Sequence, residues 1–364
     1  MSDRPFKILH VCKAYLPVKG GVQRVVKLLT DTIHSAEHHV LTTGDDGAIK
    51  NQIIDGTHIK RCRSYAQIAS LPFAPNLVFT LMREARNYDV VAVHYPFPLA
   101  YIGLSLNLSR KPIVVHWHSN IVAQRNLRWL VIPFTWVLLI RASAIVVTHR
   151  AMIANSVLLK IFRKKVIVVP YGIKSLNQAV SLTKARPYLV VVGRQVAYKG
   201  IDVAIRALQH CNARLRIIGD GPLFERHEQL AANLGVSARI KFIRHADDQE
   251  VIAQIAQSSG LVLSSTSENE AFALVQLEAM RLAKPVINTN LKSTVPHVAR
   301  HKQEGLTVSP NNPSELANAM QQLLDEPNFA AKLGNAGKLR FETMFSVDAF
   351  GVAMEHLYRS VLRI

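Results

Sequence analysis

Residues 188–200 read YLVVVGRQVAYKG: an apolar run closed by a glycine, a short loop carrying Arg194 and Lys199, and a second glycine before helical periodicity begins at Ile201. A short, wholly apolar run fits a strand buried on both faces, as parallel sheets bury theirs between two layers of crossover helices. The two cations stand just past the strand's carboxyl end, where open α/β sheets hold ligands. Arg supplies a bidentate fork and Lys a point charge, so the pair suits a diphosphate and the negative charge that grows on one as it departs. A solvated basic loop is the other reading of the same residues.

The same unit repeats in both directions. Toward the C-terminus stand RLRIIG, IKFI, GLVLSS and KPVINT; toward the N-terminus stand VIVVP, AIVVTH, PIVVHWH, DVVAVHY, HVLTTG and KILHVC. Val22–Ile33, Ile201–Gln209, Leu223–Leu234 and Ala273–Leu282 between them carry helical periodicity and are long enough for crossovers. At 364 residues the chain is too long for one ordinary core. Two βαβ sheets with a cleft between them are therefore expected. VIVVPYGI (Val166–Ile173) ends the first half, and the polar stretch Lys174–Pro187 reads as a linker. Ser346–Leu362 is helical in pattern but lies beyond the second sheet, and is expected to cross back to the first. The expected division is 1–172, 173–345 and 346–364.

Composition is that of a globular protein, 49% hydrophobic and 19% charged. Cys12, Cys62 and Cys211 are widely spaced, with no CxxC and no Cys/His pattern, which argues against a disulfide framework or a zinc site. The start, MSDRPFKILHVC, lacks the long apolar region of a signal peptide, so a cytoplasmic protein is expected. The net charge of +19 is concentrated early: residues 1–170 hold 22 Lys and Arg against 8 Asp and Glu. Such a field suits anionic lipid headgroups, a lipid pyrophosphate or nucleic acid. No recognised nucleic-acid module accompanies it, so a basic nucleic-acid-binding protein stands only as the rival of another class. Trp129–Ile140 (WLVIPFTWVLLI), flanked by Arg125, Arg128 and Arg141, is too short to cross a bilayer, which takes roughly 20 residues. It reads as a core helix or as an interfacial contact on the inner face of the cytoplasmic membrane.

Four further stretches carry chemistry. YLPVKGGVQRVVKLL places Gly20 and Gly21 at the start of an amphipathic helix, as a plain turn or as a point where backbone approaches substrate or phosphate; it is not the GxGxxG of dinucleotide enzymes. In SSTSENEAFALVQLEAMRLAKPVINTN, Glu270 and Glu278 would lie about 80° apart on one helix. If the helix starts near Ala273, Glu270 projects from the loop, Glu278 sits one turn in, and the amides of Ala273, Leu274 and Val275 face a phosphate. The carboxylates then suit sugar and ribose hydroxyls; a cap and a surface Glu are the plainer alternatives. Gly219-Asp220-Gly221-Pro222 forms another strand–turn–helix corner, and Ile243, Arg244 and His245 end a strand where a nucleobase could stack or pair with backbone.

Together GGVQR, HWHS, GRQVAYKG, IGDGP, ENEAFALVQLE and PVINT with GLTVSPNNPSELANAM resemble, in order and over nearly the whole chain, the retaining glycosyltransferases of family 4. That resemblance implies a GT-B fold: α/β, two Rossmann-like domains facing a cleft, an acceptor-side domain first and a nucleotide-sugar-binding domain second. It implies that Arg194 and Lys199 bind the donor diphosphate, Glu270 the transferred sugar and Glu278 the ribose, with His118 at the anomeric centre. It implies no cofactor and no protein nucleophile, the leaving phosphate taking the acceptor proton on the same face. The sequence contains no D-x-D, so metal-independent transfer is expected. One departure stands at the first glutamate: the family's E-G-F-G is here Glu270-Ala271-Phe272-Ala273, adding two Cβ atoms. NTNLKSTVPHVARHKQEGLTV is similar to bacterial enzymes that add mannose or rhamnose in O-antigen and exopolysaccharide assembly. GDP-mannose is therefore the favoured donor, a UDP-hexose or UDP-N-acetylhexosamine the alternative, and a polyprenyl-pyrophosphate-linked glycan the expected acceptor.

Overall fold

The structure, a computed structural model, describes residues 5–18, 20–44, 50–68, 71–119, 128–175 and 187–364. Arg125 and most of the expected linker lie outside the described residues. The chain forms two compact units, residues 1–171 with 347–364, and residues 172–346.

Unit 1 is built on strands β1 (Phe6–Val11), β2 (Ala36–Gly44), β3 (Lys50–Ile54) and β4 (Thr57–Arg63), a separate hairpin β5 (Ala66–Ile68) and β6 (Leu71–Phe73), then β7 (Val90–Tyr95), β8 (Ile113–Trp117), β9 (Ala144–Val147) and β10 (Val166–Val168). The sheet order is β10-β9-β8-β7-β1-β2-β4-β3, parallel except for β3. Its helices are α1 (Gly21–Thr32), α2 (Pro75–Glu84), α3 (Pro98–Leu106), α4 (Arg128–Arg141), α5 (Ala151–Ala154) and α6 (Val157–Ile161). One face of the sheet presents Leu9, Val11, Val91, Val93 and Val115 to a core that includes Leu77, Leu81, Leu104 and Leu139. Burying such apolar area at about 25 cal/mol per Å² drives the fold. The opposite face carries Ile8, His10, His94 and His116, all buried.

Unit 2 has β11 (Leu189–Val192), β12 (Leu215–Ile218), β13 (Ile240–Ile243), β14 (Gly260–Val262), β15 (Val286–Thr289) and β16 (Gly305–Val308), all parallel, in the order β13-β12-β11-β14-β15-β16. The chain builds outward from β11 on one side, then restarts at β14 on the other. That reversal opens a crevice at the carboxyl ends of β11 and β14, the usual place for a ligand in such sheets. The helices are α7 (Ile201–Ala207), α8 (Phe224–Asn233), α9 (Asp248–Gln257), α10 (Val275–Arg281), α11 (Val295–Val298), α12 (Pro313–Asp325) and α13 (Pro327–Met344). The last helix, α14 (Val347–Leu362), belongs to unit 1, where it crosses α1. Gly351 permits that crossing, since a Cβ there would stand 2.0 Å from Thr32 Cγ2.

Sequence periodicity starts α10 at Ala273, but the helix begins at Val275 with Leu274 as its N-cap. The reason is local: Ala273 takes φ +60°, a left-handed conformation that cannot belong to a right-handed helix.

Candidate functional site

Of the residues singled out in unit 2, Lys199 and Glu270 meet at the reversal between β11 and β14. Lys199 closes the 3-10 turn after β11, and Glu270 lies in the loop between β14 and α10. Lys199 Nζ is 2.5 Å from Glu270 Oε2, with 15% and 8% of the two side chains exposed. Ser265 Oγ donates to the same carboxylate oxygen at 2.9 Å. The loops are stitched by backbone as well: Thr266 N–H donates to Tyr198 O at 2.8 Å, and Ser264 Oγ to Lys199 O at 3.1 Å. This approach requires Gly200, whose φ is +61° and whose Cβ, were there one, would sit 2.1 Å from Ser264 O. Any other residue would push the two loops apart and open the ion pair.

Arg194 is exposed on the β11 loop. Beside it lies Gln195, fully buried and not singled out from the sequence. Its Nε2 donates to Gly219 O at 2.8 Å and its Oε1 meets His227 Nδ1 at 2.6 Å, so the loop that carries Arg194 is fastened to the β12 corner and to α8. A long polar residue between two cations gave no apolar period to betray this role. Gly219, at φ +128°, packs so tightly that a Cβ would stand 2.4 Å from Gly193 O. Gly219 N–H donates to Ile243 O at 2.9 Å, which ties the β12 corner to the end of β13. Next to it, the Arg244 guanidinium lies 3.9 Å over the Phe224 ring and pairs with Glu225 at 2.5 Å; His245 is exposed.

Glu270 and Glu278 are both buried, the first in the loop and the second in the first turn of α10. The first bonds of that turn run from Gln276 and Leu277 N–H to Ala273 and Leu274 O, at 3.0 Å each. The amides of Ala273, Leu274 and Val275 therefore stand ahead of the helical ladder.

In unit 1, α1 starts at Gly21 with Gly20 as an uncapped N-cap in extended conformation. A Cβ on Gly21 would meet nothing within 4 Å, so the unit's own packing does not ask for glycine there. His118 follows β8 directly and is buried. Its N–H donates to Tyr95 O at 3.1 Å, its Nε2 lies 2.9 Å from His94 Nδ1, and its Nδ1 meets the Tyr171 hydroxyl. Burial pushes its pKa down to about 3, so the ring is neutral at ordinary pH. Among the described residues, no cluster of His, Cys, Asp and Glu is arranged to hold a metal ion, and no helix is long and apolar enough to cross a membrane.

The glycosyltransferase family 4 profile matches residues 19–175, and the glycosyl transferases group 1 profile matches residues 173–340. The D-rhamnosyltransferase WbpZ of Pseudomonas aeruginosa is 30% identical over 353 residues, spanning 93% of this chain and 92% of that protein. The O-antigen chain mannosyltransferase C of Escherichia coli is 27% identical over 370 residues, 98% of this chain and 99% of that one. Among solved structures, sucrose-phosphate synthase of Thermosynechococcus elongatus superposes with a TM-score of 0.77 at 20% identity, covering 98% of this chain and 99% of that one. The Anabaena protein HepE, in complex with UDP and glucose, superposes with a TM-score of 0.74 at 20% identity over 98% of this chain and 100% of that one. With a nearly full-length relative at 30% identity and GT-B structures matched end to end, the chain belongs to the group 1, family 4 glycosyltransferases and is a sugar-transferring enzyme of the GT-B fold.

Proposed function

We propose that this enzyme transfers a hexose, mannose from GDP-mannose in the favoured case, with retention of configuration onto a lipid-linked glycan during surface polysaccharide synthesis. The observation that carries the reading is the Lys199–Glu270 pair, with little of either side chain exposed, at the switch point of unit 2. A cation and a carboxylate side by side suit a donor that is anionic at its diphosphate and hydroxylated at its sugar. In this reading Arg194 and Lys199 hold the diphosphate with the amides of Ala273, Leu274 and Val275. Glu270 accepts from sugar hydroxyls and Glu278 from the ribose, Gly219 and Ile243 border the nucleoside, and Gly20 and Gly21 let backbone approach the reacting groups. The bond between the anomeric carbon and the phosphate oxygen breaks while the bond to the acceptor oxygen forms on the same face. The acceptor's proton passes to the departing phosphate, whose charge the two cations stabilise. His118 stands at the anomeric centre and acts by positioning. No step requires a metal, and activity unchanged by EDTA is the expected outcome. The choice of mannose rests on the mannosyl- and rhamnosyltransferase relatives. UDP-hexose is the second reading, because HepE binds UDP and glucose.

The acceptor side of the proposal rests on α4. Leu130, Pro133, Trp136, Val137 and Ile140 form an exposed apolar stripe on that helix, and Lys165 Nζ, in the run Arg163-Lys164-Lys165, donates to Leu139 O at 3.1 Å and Ile140 O at 2.6 Å. An apolar stripe ending in basic residues suits peripheral attachment to an anionic cytoplasmic membrane face, where a polyprenyl-pyrophosphate acceptor resides.

The test is a thermal-shift panel of GDP- and UDP-sugars, since a ligand that binds only the folded state raises its apparent stability. Stabilisation by GDP-mannose, abolished in Glu278→Ala, is expected. Stabilisation by UDP-sugars alone would move the donor to the second reading, and no shift with any of them would sink the proposed donor site.

A further inference from the structure

Four histidines of unit 1 are hydrogen-bonded in a line. His38 lies on β2, His10 on β1, His94 on β7 and His118 directly after β8, and these strands are neighbours in that order. In the parallel registers Ile8 pairs with His38, His10 with Ala92, and His94 with His116. Each histidine therefore stands two residues nearer the carboxyl ends than the one before it. The line climbs diagonally across the sheet toward the ligand-binding edge of such folds. His38 Nδ1 is 3.0 Å from His10 Nε2, His10 Nδ1 is 3.2 Å from His94 Nε2, and His94 Nδ1 is 2.9 Å from His118 Nε2. At the lower end His38 Nε2 is 2.9 Å from the carbonyl of Ile33, the C-cap of α1; at the upper end His118 Nδ1 meets the Tyr171 hydroxyl.

A carbonyl can only accept, so His38 must carry its proton on Nε2. Burial lowers the pKa of all four rings and keeps them neutral, which leaves each ring one donor and one acceptor nitrogen. His38 Nδ1 then accepts from His10 Nε2–H, His10 Nδ1 from His94 Nε2–H, and His94 Nδ1 from His118 Nε2–H. His118 is left with its proton pointing into the sheet and its lone pair on Nδ1, toward the Tyr171 hydroxyl. Reversing any one ring would set two lone pairs or two protons against each other in a buried place, which costs far more than a hydrogen bond returns.

We propose that this line is a tautomer lock: the Ile33 carbonyl, acting through His38, His10 and His94, fixes His118 Nδ1 as a hydrogen-bond acceptor for a substrate hydroxyl, whose place the Tyr171 hydroxyl takes here. The proposal rests on the reading of His118 as the histidine at the reacting carbon. His38, His10 and His94 are positioning residues, since they act only through His118. The line is a lock and not a proton wire, because a wire needs a group at its far end that can take up or release a proton, and the Ile33 carbonyl does neither. A His118 so held has no proton to offer the leaving group, in keeping with a reaction in which the phosphate itself takes the acceptor's proton.

Long-range proton–nitrogen correlation spectra of the full chain, labelled with 15N-histidine, report the tautomer of each ring directly. The expected wild-type result at neutral pH is a single Nε2–H form for His118, identified by the signal lost in His118→Gln. His38→Leu removes the anchor and should convert His118 to a mixture of tautomers, with kcat lowered on the order of tenfold. His38→Gln, whose amide again offers one donor and one acceptor, should restore both. A His118 that stays wholly Nε2–H in His38→Leu, or that is Nδ1–H or protonated in the wild type, overturns the lock. A tautomer change with unaltered kcat overturns instead the placing of His118 at the reacting carbon. Should His38→Leu not fold, the wild-type spectrum decides by itself, because an Nδ1–H signal from any of the four rings breaks the chain of inference.

Discussion

Lys199 Nζ and Glu270 Oε2 are 2.5 Å apart across the point where the strand order of unit 2 reverses. With little of either side chain exposed, the pair is held by mutual charge and by Ser265, and neither charge has much water to fall back on. Removing one partner strands the other. Lys199→Ala is expected to destabilise unit 2 by about 3 kcal/mol, and adding Glu270→Gln should recover part of that loss. Urea denaturation of both singles and the double is the measurement; strictly additive losses would mean that the pair is not coupled.

Ala273 is the cleanest backbone misfit in the candidate site. At φ +60° its Cβ costs roughly 1–2 kcal/mol relative to a right-handed conformation, and glycine would carry no such cost. Ala273→Gly should stabilise the protein by about 1 kcal/mol, worth about 3 °C in Tm for a unit of this size, and Ala273→Val should lower it. A drop in Tm for the glycine variant would contradict the assigned conformation.

Acid should undo unit 1 before it titrates the carboxylates. Burial pushes His116 and His118 down to about 3 and holds His10, His38 and His94 below the ordinary 6.5. Below pH 6.5 the unfolded chain binds protons at these rings that the folded unit refuses. Each ring therefore contributes stability that is present above 6.5 and is lost as the pH falls toward the folded pKa, by up to about 1.4 kcal/mol per pH unit. The three tryptophans, Trp117, Trp129 and Trp136, all belong to unit 1, so their fluorescence follows this unit alone. A steep loss of urea resistance between pH 6.5 and 5 is expected, and a flat profile would mean that the rings are already protonated in the fold.

Helix α4 offers a test of membrane attachment that leaves the donor site alone. Val137→Glu with Ile140→Glu places two anions on the exposed stripe without touching the buried Leu138 and Leu139. Co-sedimentation with vesicles rich in phosphatidylglycerol should fall several-fold, while thermal stabilisation by the donor is unchanged. Equal sedimentation of both proteins would remove α4 from the interface.

What could be read in the sequence follows from how each strand is buried. The apolar runs before Cys12, Thr148 and Gly193 sit in the interiors of parallel sheets, where nearly every side chain is covered and no alternation interrupts the signal. β4 mixes charged residues among its buried ones, and β3 is an edge strand with four of its five residues exposed, so the pair gives no continuous apolar run. In the candidate site, Lys199 and Glu270 were visible because charged residues beside apolar runs draw the eye. Gln195 was not, because its work is to tie two loops that only the fold brings together. The histidines carry a faint signal: His94 and His116 each interrupt a strand of otherwise apolar or aromatic residues, and His10 follows Ile8 and Leu9 in β1, where a polar ring must find partners. Periodicity allows α10 to start near Ala273, and the structure starts it at Val275, since periodicity cannot report the sign of one φ angle.

Helix α14 comes late in the chain yet covers part of the sheet made first: the Tyr358 hydroxyl meets His116 Nε2 at 2.8 Å. A ribosome must finish the whole of unit 2 before this helix exists. Unit 2, made from one unbroken stretch, has all its parts while unit 1 still waits for its last, with the histidine face uncovered. The order of completion thus runs against the order of synthesis. A stop codon or protease cut shortly after residue 346 would spare the unit it adjoins and cripple the one at the other end of the gene.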